Sequence, residues 1–592
     1  MILQALAEHY QRLIKAEVPG VAQLGYSLVD ICYVLVLSAD GEMIDFYPFE
    51  GSQMVPEHKK RQGSDPIPYF LCDKVLYSLG IGGKDGEGEK RFQQYKDYNI
   101  DILSDASSEE AVAVKRFLES WNPRKWDEWS CLQKYTNDFN KPATLNVIYQ
   151  IDGRTSFVHQ IMEIKDLWES RSKENLSNEQ KGQCLITGEK GTIAKTHDVG
   201  ISGISDKANA ALVSFNCPSF ESYGKMQSFN APVSKNAAFA YATVLNHLVK
   251  NSRTHIRISD MTMVFWADKA NGEKEESLLS WWLDPVEEEA LGNDARRLAP
   301  EVVNQAKAVL EKMKQGMKLG NVDFSSDVRC YLLGLAPNAA RLSVRFWQVN
   351  RFGELAERIG QHYLDLQIIG LERYGTAIAP WRILKELAVQ RESKNIPPLL
   401  GGQLLQSILS GQMYPQSLYQ AALSRCRVGG DHGGVTAIRA AVVKACLLRK
   451  YRIQKQLTKE AALTVSLDTK NTMPAYLLGR LFSILEKAQK DALGENINAT
   501  IRDRYFGAAS ATPGAVFPLL LKLSQHHLNK AQYGSLLDRK IQNILGDLDA
   551  KPFPAHLNLE EQGVFILGYY HQKQANYEKS EDKKVKEDNG NE

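Results

Sequence analysis

Residues 1–15 place apolar side chains at helical spacing among charged ones, which predicts an amphipathic helix. Tyr33–Ser38 and Met43–Phe49 read as two strands joined through Asp40-Gly41, a favourable hairpin turn. Ile67–Gly80 is expected to form a short turn and helix, and Gly80–Gly88, with five glycines, a flexible surface loop. Glu109–Trp121 and Asp127–Asp138 have helical rhythm. Leu145–Phe157 reads as a hairpin turning at Asp152-Gly153, and Gly182–Ile193 as a turn between short strands. Val213-Ser-Phe-Asn is read as the start of a strand that leads into a polar loop and then an apolar helix. Met261–Ala267 is apolar enough for a buried strand, and Cys330–Leu335 and Leu342–Val349 are the last strands expected. From about residue 354 onward the periodicity is helical only. In the block 473–550, Leu477, Leu481, Ile484, Leu485 and Ala488 form one apolar face, and Leu537, Ile541, Ile544, Leu545 and Leu548 another.

The expected fold class is α+β. A mixed N-terminal region (1–353) carries short antiparallel sheets. A helical connecting region (354–472), a small helical bundle (473–572) and a charged, disordered tail (573–592) follow. At 592 residues the chain is too long for one core, so two to four domains are expected. Its 43% hydrophobic and 24% charged residues are those of a globular protein. The net charge of +2 argues neither for nor against an anionic partner, so a nucleic-acid surface has to come from local clustering. The opening segment has no secretory-signal pattern, and no apolar run is long enough to span a membrane. A cytoplasmic protein is expected. The eight cysteines include no CxxC pair, which points away from a zinc ribbon or a dithiol redox site.

Motifs for catalysis are missing. No GxxxxGK[ST] and no HExxH occurs. His197-Asp198 is isolated, Asp431-His432 lies in a glycine turn, and His526-His527 point about 100° apart on a helix, too far to share one ion. No cofactor and no metal are expected, and the chain is expected not to be an enzyme.

Residues 214–246 carry the strongest positive signal. A loop between Asn216 and Val233 gathers Ser219, Ser222, Tyr223, Lys225, Gln227, Ser228 and Asn230. Lysine can neutralise a phosphate, the rings of Tyr223 or Phe229 can stack on a base, and amides can bond base edges. The alternative is a structural loop whose polar groups satisfy one another. Two basic clusters supplement it: Lys59-Lys60-Arg61, and the set Arg425, Arg427, Arg439, Lys444, Arg449, Lys450, Arg452 and Lys455. The second has Asp431 as its one internal acid, a pattern that suggests phosphate contact.

Seven segments resemble, in order, the large subunit of the type I-C CRISPR surveillance complex, Cascade. They are Tyr69–Gly80, Cys184–Glu189 with Ile193–His197 and Gly200–Gly203, Ser214–Asn246, Val264–Ala267, Leu335–Leu342 and Asn471–Leu481, together with the N-terminal helix. The resemblance implies a non-catalytic subunit that recognises a motif beside the target, promotes R-loop formation, contacts the guide's handle and the displaced strand, and docks a helicase–nuclease. Guide pairing reads the sequence in such complexes, while protein reads the adjacent motif. The implied partners are guide CRISPR RNA, double-stranded target DNA, the backbone and guide-processing subunits, a small subunit and the helicase–nuclease. On this basis the candidate nucleic-acid-binding residues are Lys59, Lys60, Arg61, Asn216, Ser222, Tyr223, Lys225, Gln227, Asn230, Arg425, Arg427, Arg439, Arg449, Arg452, Arg502, Arg504, Lys522 and Lys530. The family also implies that the C-terminal region can be made separately, and Met473, where the helical block begins just before Pro474, is the expected start. A metal-dependent nuclease of the same system and a freestanding nucleic-acid binder are the rival readings.

Overall fold

A computed structural model describes residues 2–58, 61, 67–84, 86–177, 180–206, 210–269, 272–285, 300–314, 325–375, 377–429, 434–494, 499–548 and 552–588. The chain is α+β, with short sheets in its N-terminal half and helices in its C-terminal region. It divides into two compact units: Met1–Asn251 with Pro337–Ser343, and Ser252–Ala336 with Val344–Glu592.

The first unit contains α1 (Ile2–Lys15), β1 (Tyr26–Leu37), β2 (Met43–Pro56), β3 (Asp73–Lys74), α2 (Val75–Ser78), α3 (Glu87–Ile102), α4 (Glu109–Ser120), α5 (Ser130–Gln133), β4 (Asn146–Ile151), α6 (Met162–Ser177), β5 (Lys181–Gln183), β6 (Lys190–Thr192) and α7 (Lys235–Lys250). The β1–β2 hairpin forms as expected, with Gly41 at φ +85 in its turn. A Cβ there would also press on the backbone of α4. The sheet order is β2-β1-β4-β3, and β4 runs parallel to β1. Residues 145–157 therefore do not make the expected hairpin; between those two limbs a single β-bridge forms, Gln150 to Phe157. The reason is burial. β4 hides both faces, so it belongs between two strands, where β1 and β3 satisfy its backbone. A bulge between Ile31 and Tyr33 sets the alternation of β1. Beyond it Tyr33, Leu35 and Leu37 enter the main core of this unit, while Val34 and Val36 enter a smaller one on the opposite face.

Two further expectations change here. Val213-Ser-Phe-Asn is not a strand, and Asp127–Asp138 contains only the short α5 and 3₁₀ turns. The glycine run 80–88 has exposed residues without regular structure at 82–84 and 86, as a surface loop requires, but its two ends are packed. Gly80 is buried, and a Cβ at Gly88, inside α3, would collide with the Gly80 carbonyl oxygen. A Cβ at Gly82 would meet the Pro142 ring. Gly80, Gly82 and Gly88 thus permit close approach of neighbouring atoms.

The second unit contains β7 (His255–Ile258), β8 (Met261–Ala267), α8 (Glu273–Leu283), α9 (Pro300–Lys314), β9 (Arg329–Asn338), β10 (Arg341–Arg351), α10 (Phe352–Leu366), α11 (Pro380–Leu387), α12 (Pro398–Ser410), α13 (Gln416–Arg427), α14 (Ala437–Ile453), α15 (Leu457–Ala461), α16 (Pro474–Leu493), α17 (Ile501–Ala511), α18 (Pro513–Lys530), α19 (Gly534–Asp547) and α20 (Leu559–Asp588). Its sheet runs β10-β9-β8-β7, the tip of the β9–β10 hairpin, Pro337–Ser343, belonging to the first unit, and every residue of β8 is buried. One core joins Met263 and Phe265 of β8, Trp282 of α8, Phe352 of α10, Val443 of α14, Leu481 of α16 and Phe565 of α20. The boundaries expected at 353 and 472 both cut this core, so neither separates independent units. α20 also runs through residue 573, where a disordered tail was expected, as far as Asp588.

α16 and α20 pack in close contact. A Cβ at Gly479 would strike the Phe565 carbonyl oxygen, and one at Gly568 would strike that of Tyr476. The two backbones touch at reciprocal glycines. Tyr569 donates to Glu486 at 2.6 Å, and the Tyr476 hydroxyl meets His571 Nδ1 at 2.9 Å. Among the described residues no helix is long and apolar enough to cross a membrane.

Candidate nucleic-acid interface

The loop between Asn216 and Val233 is built on short-range geometry. Lys225 N–H donates to the Ser222 carbonyl at 3.0 Å, and the two residues between them, Tyr223 and Gly224, have φ of +54 and +68. Two consecutive positive φ values are those of a type I′ turn. Gly224 takes this conformation without steric cost, whereas a tyrosine does not. Backbone strain of this kind is held where surrounding structure enforces it. The enforcing residue is Asn230. Its Oδ1 accepts the Ser222 N–H at 2.9 Å, and its Nδ2 donates to the carbonyls of Lys225 and Gln227 at 2.7 and 2.8 Å. One amide thus staples both sides of the tip.

That staple separates the expected site residues into two groups. Asn230 and Ser222 spend their polar atoms inside the loop, and Gln227 is half-buried below the tip. Tyr223 is 98% exposed, Met226 60% and Phe220 41%, and Lys225 is exposed beside them. Lys225 makes no ion pair with the described residues. The outward groups at the tip therefore include two rings, a thioether and a cation, with Ser219 and the Glu221 carboxylate also exposed on the entering limb.

The base of the loop is fixed by the segments that precede and follow it. Ser228 N–H donates to the Lys195 carbonyl, Leu185 N–H to that of Pro232 and Ala194 N–H to that of Val233. Ser234 caps α7 by accepting the Ala237 N–H, and its own N–H donates to Cys184 Sγ at 3.2 Å. Burial alone would raise the Cys184 thiol; hydrogen bonds from Ser234 and Thr187 outweigh it and bring the thiol down to about 7. His197 Nδ1 meets the Tyr241 hydroxyl of α7 at 2.5 Å, and burial lowers this histidine to about 4. Asn246, also on α7, bonds the Ser202 N–H and the Gly200 carbonyl. The three motifs around residues 184, 197 and 200 thus act as the mount of the 216–230 loop.

Arg341 completes the arrangement, and the sequence carries no signal that places it beside residue 216. It follows the Ala339-Ala340 turn between β9 and β10. Its guanidinium donates to Asn216 Oδ1 and lies 4.9 Å from the centre of the Phe220 ring.

The basic clusters are corrected by burial. Lys59 and Lys60 lie outside the described residues. Arg61 is an internal strut. It pairs with buried Asp73 and lies between the rings of Tyr69 and Tyr77, at 3.9 and 3.8 Å from their centres. Asp73 and Tyr77 belong to the Phe70–Gly80 motif, so that motif grips an arginine.

In the 425–455 cluster, Arg439 is fully buried and bonds Glu386 and the carbonyls of Glu386 and Gly434. Arg449 and Arg452 converge on the buried carboxylate of Asp365, and Lys444 donates to the Asp365 carbonyl. Lys450 pairs with Glu560. These cations tie α14 to α10, α11 and α20, and a buried arginine cannot reach a phosphate. Arg425 and Arg427 are half-buried. The C-terminal candidates divide between one covered arginine and three exposed cations. Arg502 is partly covered, donating to the Cys426 carbonyl at 3.4 Å and resting over Phe506. Arg504, Lys522 and Lys530 stand exposed, with no ion pair to the described residues.

No curated protein matches the chain. Comparison with protein families matches residues 6–577 to the family described as CRISPR-associated protein (Cas_Csd1). The match takes in the loop, its mount, the buried arginine network and the α16–α20 pair. On this coverage the chain belongs to the CRISPR-associated protein family Cas_Csd1.

Proposed function

We propose that this chain is the non-catalytic large subunit of a type I-C RNA-guided surveillance complex, working in the cytoplasm, and that the 216–230 loop reads the motif beside the target in duplex DNA. The observation that carries this reading is the stapled tip. Asn230 holds a strained turn that turns Tyr223 and Lys225 outward on a rigid mount. A ring that stacks or wedges at a base step and a cation beside it are what a duplex entrance requires, and rigid placement lowers the entropy cost of contact. Membership in a CRISPR-associated family supports partnership with other proteins of that system.

In this reading the loop contacts the adjacent motif and helps separate the first base pairs, so that guide pairing can start. The exposed cations Arg504, Lys522 and Lys530 hold the displaced strand. Other surfaces meet the guide's handle, the backbone and guide-processing subunits, the small subunit and the helicase–nuclease. A separate product starting at Met473 remains part of the proposal. Met473 precedes Pro474, which opens α16. Such a product would uncover the face of α20 where Gly563 packs against Tyr419, Val443 and Leu447, so it needs a partner for that face.

The test is binding by the assembled, guide-loaded complex to duplexes with and without the correct adjacent motif. Replacing Tyr223 and Lys225 together by Ala is expected to weaken binding to the correct duplex by roughly 1–3 kcal/mol per lost contact and to narrow the difference between duplexes. Undiminished affinity and discrimination would remove the loop from recognition. Cleavage of labelled DNA or RNA by the isolated chain would favour the nuclease reading instead.

A further inference from the structure

The Leu335–Leu342 segment matches the family pattern, yet no part of the recognition reading uses it. Its geometry gives it a task. Ala339, the first residue of the two-residue turn, has φ +52, a conformation an alanine adopts only under constraint. The constraint is visible on both sides of the tip. Ala211 N–H donates to the Ala340 carbonyl at 3.0 Å, and Leu342 N–H donates to the Ala211 carbonyl at 2.9 Å. Ser205 Oγ reaches the Ala339 carbonyl at 3.5 Å. These bonds set the turn against Ser205 and Ala211. They leave Arg341 to reach forward to Asn216 and Phe220, on the entering limb of the recognition loop.

Arg341 is also electrostatically unusual. Its partners there are an amide oxygen and a ring, both neutral, and no carboxylate among the described residues pairs with it. A planar guanidinium fits this place for a geometric reason. It can donate in its plane to Asn216 while its face covers Phe220, which a lysine ammonium cannot do. Asn230 staples the tip from the leaving limb, while Arg341 fixes the entering limb. With one limb free, the turn carrying Tyr223 would pivot about the other.

We infer that Arg341 is a positioning residue for motif recognition, acting through Asn216 and Phe220 to fix the entering limb of the 216–230 loop. This rests on the proposal that the loop reads the adjacent motif.

The experiment has two arms. In the first, amide hydrogen exchange of residues 216–222 is measured in the full-length chain without nucleic acid, for the wild type, R341A, R341K and N216A. Exchange is expected to rise in all three variants. R341K is expected to match R341A, because charge alone does not restore the planar contact. The R341A/N216A double variant is expected to add nothing to either single change, as for two groups acting in one contact. Unchanged exchange, full rescue by R341K or additive effects each overturn the positioning role.

In the second arm, guide-loaded complexes bind duplexes with the correct or an altered adjacent motif. R341A is expected to reduce the ratio of the two affinities by about five-fold or more, with a salt dependence that changes by less than the value of about one set by a lost phosphate contact. If Tyr223→Ala abolishes discrimination while R341A leaves it intact, Arg341 has no part in recognition. If R341A loosens the loop and Tyr223→Ala has no effect on binding, it is the assignment of the loop to duplex recognition that fails.

Discussion

At the residue scale, the loop's chemistry was legible and its orientation was not. The run of amides, hydroxyls and rings in 214–230 is visible in any reading of the sequence. Which of them face outward depends on Asn230, whose side chain closes on Ser222, Lys225 and Gln227. Asn230→Ala removes these bonds, and that from the Ser222 hydroxyl, at once. Tyr223 then loses the constraint that holds its positive φ, so motif discrimination is expected to fall even though position 230 itself bonds only the loop. The check is a comparison of Asn230→Ala with Lys225→Ala. The first should raise amide exchange of the tip, and the second should leave it unaltered.

The basic cluster of α14 shows the converse limit. Charge density in sequence does not distinguish solvated cations from buried ones. Arg449 and Arg452 share Asp365, and both Arg449 and Asp365 are buried. Removing one member of a buried pair leaves an uncompensated charge. Asp365→Ala is therefore expected to destabilise the second unit by about 3–5 kcal/mol, read as a lower denaturant midpoint. Arg449→Met should leave the salt dependence of DNA binding unaltered in whatever fraction folds, because this arginine touches no phosphate in the proposed assembly.

At the element scale, long apolar periodicities and the local β1–β2 and β5–β6 hairpins were read correctly, and the partners of β4 were not. β8 and the C-terminal helices follow directly from their patterns. β4 was assigned to the wrong neighbour because Asp152-Gly153 is a strong local turn signal, and a buried central strand seeks non-local partners that no local signal names. At the ends of the glycine run 80–88, the close packing of Gly80 and Gly88 was missed for a related reason. Glycine marks both freedom and close approach, and only the neighbouring backbone decides between them. The pair Gly479 and Gly568 makes the same point between helices. Gly479→Val would force α16 off α20, where the backbones touch. It is expected to cost about 1–3 kcal/mol or more, as overpacking does, and to lower the melting temperature. The equivalent change at Gly546, which has open space around it, should not lower it by a comparable amount. Equal effects at the two positions would contradict the reciprocal-glycine contact.

At the scale of the whole molecule, the class α+β was legible, and the subdivision into an N-terminal region, a connector and a bundle was not. Hydrophobic periodicity identifies faces, but it does not say which faces share a core. Trp282 of α8, Val443 of α14 and Phe565 of α20 contribute to one core across all three expected segments. Burial also sets a pH dependence for the molecule. It lowers His159, His197 and His571 from their ordinary value to about 4, and His58 to about 3. The unfolded chain binds these protons near pH 6.5 and the folded chain does not, so the unfolded state holds more protons in between. Stability present above pH 6.5 is therefore expected to decline as pH falls from about 6.5 towards 4. Thermal unfolding at fixed ionic strength across that range checks it; a flat melting temperature would mean these histidines are solvated.

The central claim is that the stapled tip at Tyr223 meets the target duplex beside the guide-paired segment. The most direct measurement replaces Tyr223 with a photoreactive phenylalanine analogue in the guide-loaded complex and maps the nucleotides crosslinked to it. Crosslinks confined to the adjacent motif and the first base pairs of the target, and lost when the motif is altered, are the expected result. Crosslinks to protein subunits alone, or to DNA irrespective of the motif, would contradict it.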